Sequence, residues 1–222
     1  VVHERESPII QDERRGKELA LIWKQKESMV QSYPQHTILY QFVPPAIHLV
    51  IVGAGNDAQP LMEMAFLLGW NISVVDGRPA YATSQRFSKA NRICLAKPAD
   101  PFSGITLDAQ TAVVLMTHNY NYDVSALEQL IGSACAYIGV LGPKQKLEKI
   151  LDALKGRSIA MDQDFLNKIH GPVGLDIGAE TSEEIALSVL AEIKAVFSDR
   201  RGTSLRNRSI EIHERSFSAQ HA

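Results

Sequence analysis

From residue 48 onward the chain alternates two patterns. Short runs of consecutive apolar residues give way to longer stretches in which apolar positions recur every three or four residues. A short, wholly apolar run suits a strand buried on both faces, and the longer spacing suits a helix with one buried stripe. Strands are therefore expected over residues 48–53 (HLVIVG), 71–76 (NISVVD), 91–95 (NRICL), 111–117 (TAVVLMT) and 136–141 (AYIGVL). Helices are expected over residues 58–69, 123–131, 143–154 and 161–169. A last helix opens at Thr181-Ser182-Glu183-Glu184, a capping-box string in which the Thr hydroxyl and the Glu184 carboxylate satisfy orphan amides reciprocally. Ile185, Leu187, Val189, Leu190 and Ile193 then form its apolar stripe.

This rhythm predicts an α/β fold, a Rossmann-type doubly wound parallel sheet with right-handed crossovers and a short N-terminal extension. The expected strand order is 3-2-1-4-5, with the strand over residues 48–52 inside the sheet. Residues 1–46 are polar and charged, with a helix expected over residues 11–32 and a β-rich run over residues 37–43. Pro44-Pro45 ends that run, because proline removes a ladder donor. The expected division is an N-terminal segment 1–46, a Rossmann domain 47–199 and a polar tail 200–222.

The chemistry centres on GAGNDA at residues 53–58, which closes a predicted strand and opens a predicted helix. This is the GxGxxA form of the dinucleotide fingerprint in its required setting. Gly53 permits a tight turn, Gly55 lets the backbone approach a phosphate, and Ala58 lets helix and strand pack closely. Asn56 and Asp57 complete the turn. Amides at a helix N-terminus attract an anion. Asp76 closes the second strand about 20 residues later, where an acid reads a ribose hydroxyl. The alternative is a turn that keeps its glycines for geometry alone.

Open α/β sheets bind ligands at the carboxyl ends of their strands. Arg78 follows the second strand there, and Thr117 and His118 follow the fourth. Gly142, Lys144 and Lys146 follow the fifth, and Asp176 lies in a glycine-rich segment before the last helix. Each has a plainer reading: His118 as a loop residue, Asp123 as a helix cap, Lys144 and Lys146 as a solvated helix start. Asp176 with Glu180 is poor evidence for a metal without His or Cys at ligand spacing. No catalytic set can be assembled from spacing, and His118, Lys144 and His170 have no orienting partner visible in the sequence.

Composition narrows the field further. Of the 222 residues, 45% are hydrophobic and 22% charged, and the net charge is −2, with no basic stripe for nucleic acid. No apolar run approaches the roughly 20 residues of a membrane helix, and the first residues lack the order of a signal peptide, so the cytoplasm is the expected compartment. Cys94 and Cys135 read as reduced thiols. The chain opens Val-Val-His without Met, which fits a processed chain or a portion of a longer protein.

Four strings occur in order: residues 49–55 (LVIVGAG), 74–79 (VVDGRP), 137–144 (YIGVLGPK) and 170–186 (HGPVGLDIGAETSEEIA). Together they resemble the C-terminal Rossmann domain of the xanthine dehydrogenase accessory factors, the XdhC/CoxI family. The resemblance covers about residues 38–197, and residues 210–213 (IEIH) are compatible with it. It implies a cofactor-binding maturation factor rather than an enzyme. Such a factor holds the molybdenum cofactor, a phosphorylated pterin, and assists its insertion into a xanthine dehydrogenase-type molybdenum enzyme. A homodimer stays open, and NAD(P) is the competing ligand, in an oxidoreductase or an NAD-sensing regulator. Two features depart from the family: Asn56-Asp57 stands where many members have His, and residues 1–46 hold no Cys-containing GGC-type motif. Cofactor binding through that Cys is not carried over.

Overall fold

The computed structural model describes residues 13–25 and 28–207. They fall into two compact units, one drawn from the residues up to Pro45 together with those from Leu205 on, the other Ala46–Ser204.

The smaller unit holds helix α1 (Glu13–Gln25) and an antiparallel hairpin of β1 (Met29–Tyr33) and β2 (His36–Tyr40). The hydroxyls of Tyr33 and Tyr40 both donate to the Glu18 carboxylate, tying helix to hairpin. The helix expected over residues 11–32 therefore ends at Gln25, and Met29–Tyr33 is a strand whose residues alternate between half-buried and exposed. Residues 11–12 and 26–27 of that expectation lie outside the described residues, as does the 210–213 string. The described part of the tail includes a single 3-10 turn, Leu205–Asn207.

The larger unit is a six-stranded parallel sheet in the order β5-β4-β3-β6-β7-β8. Its strands are β3 (His48–Val52), β4 (Asn71–Asp76), β5 (Arg92–Leu95), β6 (Thr111–Leu115), β7 (Tyr137–Val140) and β8 (Ile169–His170). The expected order of five strands is present, with a sixth added at the edge. The helix expected over residues 161–169 is shorter, α5 (Gln163–Asn167), and its end is taken by β8, which pairs Ile169 with Ile138 and His170 with Gly139.

Central β3 shows why its sequence is apolar from Leu49 on. Leu49 and Ile51 face one core with α2 (Ala58–Leu67) and α6 (Ser182–Phe197), where Leu61, Met62, Val189 and Ile193 meet them. Val50 and Val52 face a second core with α3 (Tyr120–Leu130) and α4 (Lys144–Gly156), among Leu127, Leu130 and Ile150. A strand with a hydrophobic layer on each side has no polar face to display. Val52 is flanked in register by Val75 of β4 and Leu115 of β6, so the chain reverses its direction of sheet growth at β3. That reversal places residues 53–58 at the switch point, outside the carboxyl ends of the strands.

Candidate functional site

The turn after β3 is made by two glycines with different tasks. Gly53 has φ +113°, and a Cβ there would lie 2.8–2.9 Å from the backbone of Met116 and Thr117 at the end of β6. Only glycine satisfies both constraints. Gly55 has neither: its φ lies outside the left-handed region, and a Cβ would meet nothing within 4 Å. Local packing does not require glycine at 55, so what it leaves open is space above the turn.

Helix α2 begins at Ala58, which is fully buried, and Pro60 sits in its first turn, where a missing N–H removes no helical bond. Asp57 is the N-cap residue, yet its side chain makes no capping bond. Its Oδ1 instead accepts a hydrogen bond of 2.5 Å from the Ser182 hydroxyl, at the start of α6. The first amides of α2 are thus not closed off by a side-chain cap.

Asp76, buried at the end of β4, reaches across to this turn. Its Oδ2 accepts from the Ala54 amide (2.7 Å) and from Arg78 Nη2 (2.7 Å), and its Oδ1 accepts from the Arg78 amide (2.8 Å) and Nε (2.9 Å). Burial opposes the charge of this carboxyl, but the Arg78 guanidinium and the two amides outweigh it and hold the group below the usual carboxylate range. Four donors fill the lone-pair positions of the two oxygens. Asp76 therefore clamps the fingerprint loop and neutralises Arg78, whose guanidinium carbon stacks 3.9 Å from the centroid of the Tyr81 ring.

Arg86 has no counterpart among the residues singled out by spacing. It comes from the irregular segment between β4 and β5, and its Nη2 donates to Asn56 Oδ1 at 2.9 Å and, more weakly, to the Ala54 carbonyl at 3.4 Å. Its Nε is buried without a hydrogen-bond partner among the described residues. No carboxylate pairs with it among the described residues, so its charge stands uncompensated beside the turn.

A second polar cluster lies at the ends of β6 and β7. Asp123 is fully buried, and Lys146 Nζ reaches its Oδ2 at 2.6 Å while also donating to the carbonyls of Leu141 (2.9 Å) and Thr117 (3.2 Å). The Thr117 hydroxyl donates to Asp123 Oδ1 at 2.5 Å. Burial pushes the Asp123 carboxyl up, against the opposing pull of Lys146 and Thr117. Asp123 is therefore not the cap of α3; Asn119 is, accepting from the Tyr122 amide. Gly142 (φ +124°) lies against the Lys146 side chain. Lys144 points the other way, 78% exposed and 4.0 Å from Glu148 along its own helix. His118 and Asp176 are exposed, and neither side chain has a hydrogen bond or ion pair among the described residues.

Of the residues read from sequence, Gly53, Gly55, Asn56, Asp57, Ala58, Asp76 and Arg78 form one connected site. Thr117 and Gly142 belong to the neighbouring cluster, and His118, Lys144 and Asp176 face solvent. His170 does have an orienting partner: Nδ1 lies 3.5 Å from Glu192 Oε1, and the ring stacks on Tyr137 at 4.4 Å. Glu192 also accepts from the Tyr137 hydroxyl and the Gly174 amide. This group fixes the glycine-rich segment 171–175 onto α6. Gly174 is there for close approach, since a Cβ would run into the Ser188 hydroxyl.

A shallow concavity of about 470 Å³ opens along β5, lined by residues 92–97, Asp100 and Ser103, none of them from the fingerprint turn. Among the described residues no three His, Cys, Asp or Glu side chains converge as a metal site, and no helix is long and apolar enough to cross a membrane.

Comparison with known proteins bears on the whole of this unit. The family model described as the XdhC Rossmann domain matches residues 49–193. A protein of Bacillus subtilis (strain 168) named as a probable xanthine dehydrogenase component is 37% identical over 153 residues, 69% of this chain and 44% of that protein. The molybdenum cofactor insertion chaperone PaoD of Escherichia coli (strain K12) is 26% identical over 152 residues, 68% of this chain and 41% of that protein. Among solved structures, a xanthine dehydrogenase from Bacillus halodurans superposes with a TM-score of 0.62 at 30% identity, covering 76% of this chain and 47% of that one. The chain spans less than half the length of each of these three relatives.

Proposed function

The chain belongs to the XdhC family, and from that premise we propose that it serves the maturation of a xanthine dehydrogenase-type molybdenum enzyme by holding the molybdenum cofactor. The cofactor's phosphate end would lie on the turn at residues 53–58, with Gly55, Asn56 and the first amides of α2 around it. When bound, the cofactor brings its own redox chemistry. What this chain's residues do is bind its anionic end, orient it and release it.

The observation that carries the reading is Gly55. Its neighbour Gly53 is forced by backbone and packing, whereas Gly55 opens space directly beside amides that no side chain caps. An anion fits such a cradle, because backbone N–H groups and the helix dipole supply affinity there. The kinship with an insertion chaperone supports the molybdenum cofactor over other phosphorylated ligands.

NAD(P) is the runner-up ligand on the strength of the fingerprint itself. The two readings separate in one pair of measurements. Cofactor released from a molybdenum enzyme is titrated into the purified chain beside NADH, and a molybdenum hydroxylase is expressed with and without the chain. Saturable binding of the released cofactor, lost in Gly55→Val with melting preserved, and a gain in hydroxylase activity are expected. Substrate-dependent NADH oxidation above roughly 1 s⁻¹, an ordinary enzyme rate, would overturn the maturation role.

A further inference from the structure

The geometry points to Arg86 as the residue that makes this crevice select diphosphate-bearing ligands over their less charged counterparts. The inference rests on the crevice being a ligand site, as proposed above, and adds the chemical class of what it prefers. Two cations near the strand ends around it are already matched, Arg78 by Asp76 and Lys146 by Asp123. Among the described residues the Arg86 guanidinium is held only by neutral oxygens, those of Asn56 and Ala54. Asp57 meanwhile places a negative charge at the start of α2, which weakens the pull of the helix end on an anion. With that pull reduced, the guanidinium beside the turn is the group on hand to balance the added charge of a second, linked phosphate.

The resting pose of Arg86 supports the same assignment. Its buried Nε–H lacks an acceptor, a costly arrangement for a cationic group. The side chain lies against Tyr81 and Phe87, with its guanidinium carbon 5.3 and 5.9 Å from the two ring centroids. These rings limit the rotamers open to it while leaving its fork of donors beside Asn56. A phosphate on the turn would draw the guanidinium from the Asn56 amide onto charged oxygens and satisfy the orphan donor in a charge-assisted pair. Asn56 then acts as the parking contact of the ligand-free protein.

The test is calorimetric titration of the full chain with adenosine, AMP and ADP, at low and high salt. Affinity should rise in that order, and salt should weaken ADP more than adenosine. Arg86→Ala should cost about ten-fold or more in ADP affinity and little for adenosine, flatten the salt response and leave the melting midpoint in place. Arg86→Lys should recover part of the ADP affinity. Arg86→Gln keeps much of the packing and removes the charge alone, so full ADP affinity in that variant overturns the inference whatever Arg86→Ala does to folding. If Gly55→Val loses ADP while Arg86→Gln keeps it, the crevice stands and only Arg86 falls. If the unaltered chain binds none of the three, this inference falls, and the cofactor titration above judges the crevice separately.

Discussion

The clusters at the ends of β3 and β7 are built from nearly the same parts, and they differ in whether every cation has found a carboxylate. Each combines a glycine at positive φ, a buried aspartate, a cation and the start of a helix. Around β7 the set closes on itself: Lys146 is shared among Asp123 and two carbonyls, and the Thr117 hydroxyl takes the other Asp123 oxygen. Around β3 the acid is equally saturated, but by Ala54 and Arg78, which leaves the half-buried Arg86 beside the turn with no carboxylate among the described residues. An acid–base pair at a strand end is therefore no mark of a ligand site in this fold. A guanidinium without a carboxylate is the mark here, since the starts of α2 and α4 both lack a side-chain cap, and the β7 cluster is a brace that holds the platform still.

The hardest blow to that contrast would come from Asp123→Ala. It strands Lys146 in a half-buried position and should lower stability by about 3–5 kcal/mol in urea unfolding, the scale of a broken buried pair. A loss below about 1 kcal/mol would mean the β7 cluster is not a brace. Next comes the pair of glycines. Gly53→Ala meets both a strained φ and a backbone clash and should cost about 2–4 kcal/mol, whereas Gly55→Ala should stay within about 0.5 kcal/mol. Equal losses at the two positions would erase the difference between a structural and a ligand-facing glycine. Thr181→Ala removes the capping box of α6, with its reciprocal Glu184 bonds, at about 1 kcal/mol. It should leave ADP affinity unchanged, since the box belongs to neither cluster.

The smallest effect is read against pH. The Asp76 carboxyl is held below its ordinary value in the folded chain, so the stability it contributes is present above the usual carboxylate range. That contribution disappears as pH falls through the lowered folded value. Thermal midpoints of Asp76→Asn and the unaltered chain should therefore differ at neutral pH and converge in acid. A gap that stays constant down the pH series would show that Asp76 acts by shape rather than charge.

Much of the platform was legible in the sequence because burial on two faces leaves an unmistakable trace. Residues 48–52, 72–75 and 111–115 are short, mainly apolar and rich in β-branched residues, which suits buried strands, and GAGNDA announces the turn that follows the first. The capping box at Thr181 was equally plain, since it depends on residues three apart. What escaped was everything set by distant partners or by helix phase. The two-residue β8 exists only because β7 offers it an edge, so no periodic pattern marks it. Lys144 and Lys146 sit two positions apart on one helix, and only the docking of α4 decides which turns inward. Arg86 lies 30 residues from Asn56 in a stretch of short turns, where spacing carries no signal. Asp76 was placed at the loop by its distance from Gly53, but its four donors, which occupy the oxygens a ribose hydroxyl would need, follow from the path of the chain through Arg78.

The bond between Ser182 and Asp57 makes the fingerprint turn a property of the whole domain rather than of its own sequence. Its two ends are 125 residues apart, one at the head of α2 and the other opening the last long helix. The same helix lays Val189 and Ile193 against Leu61 and Met62 of α2, so the carboxylate and the apolar face beneath it are both held from α6. A change that displaces α6 is therefore also a change at the turn, although it lies more than a hundred residues away in the chain.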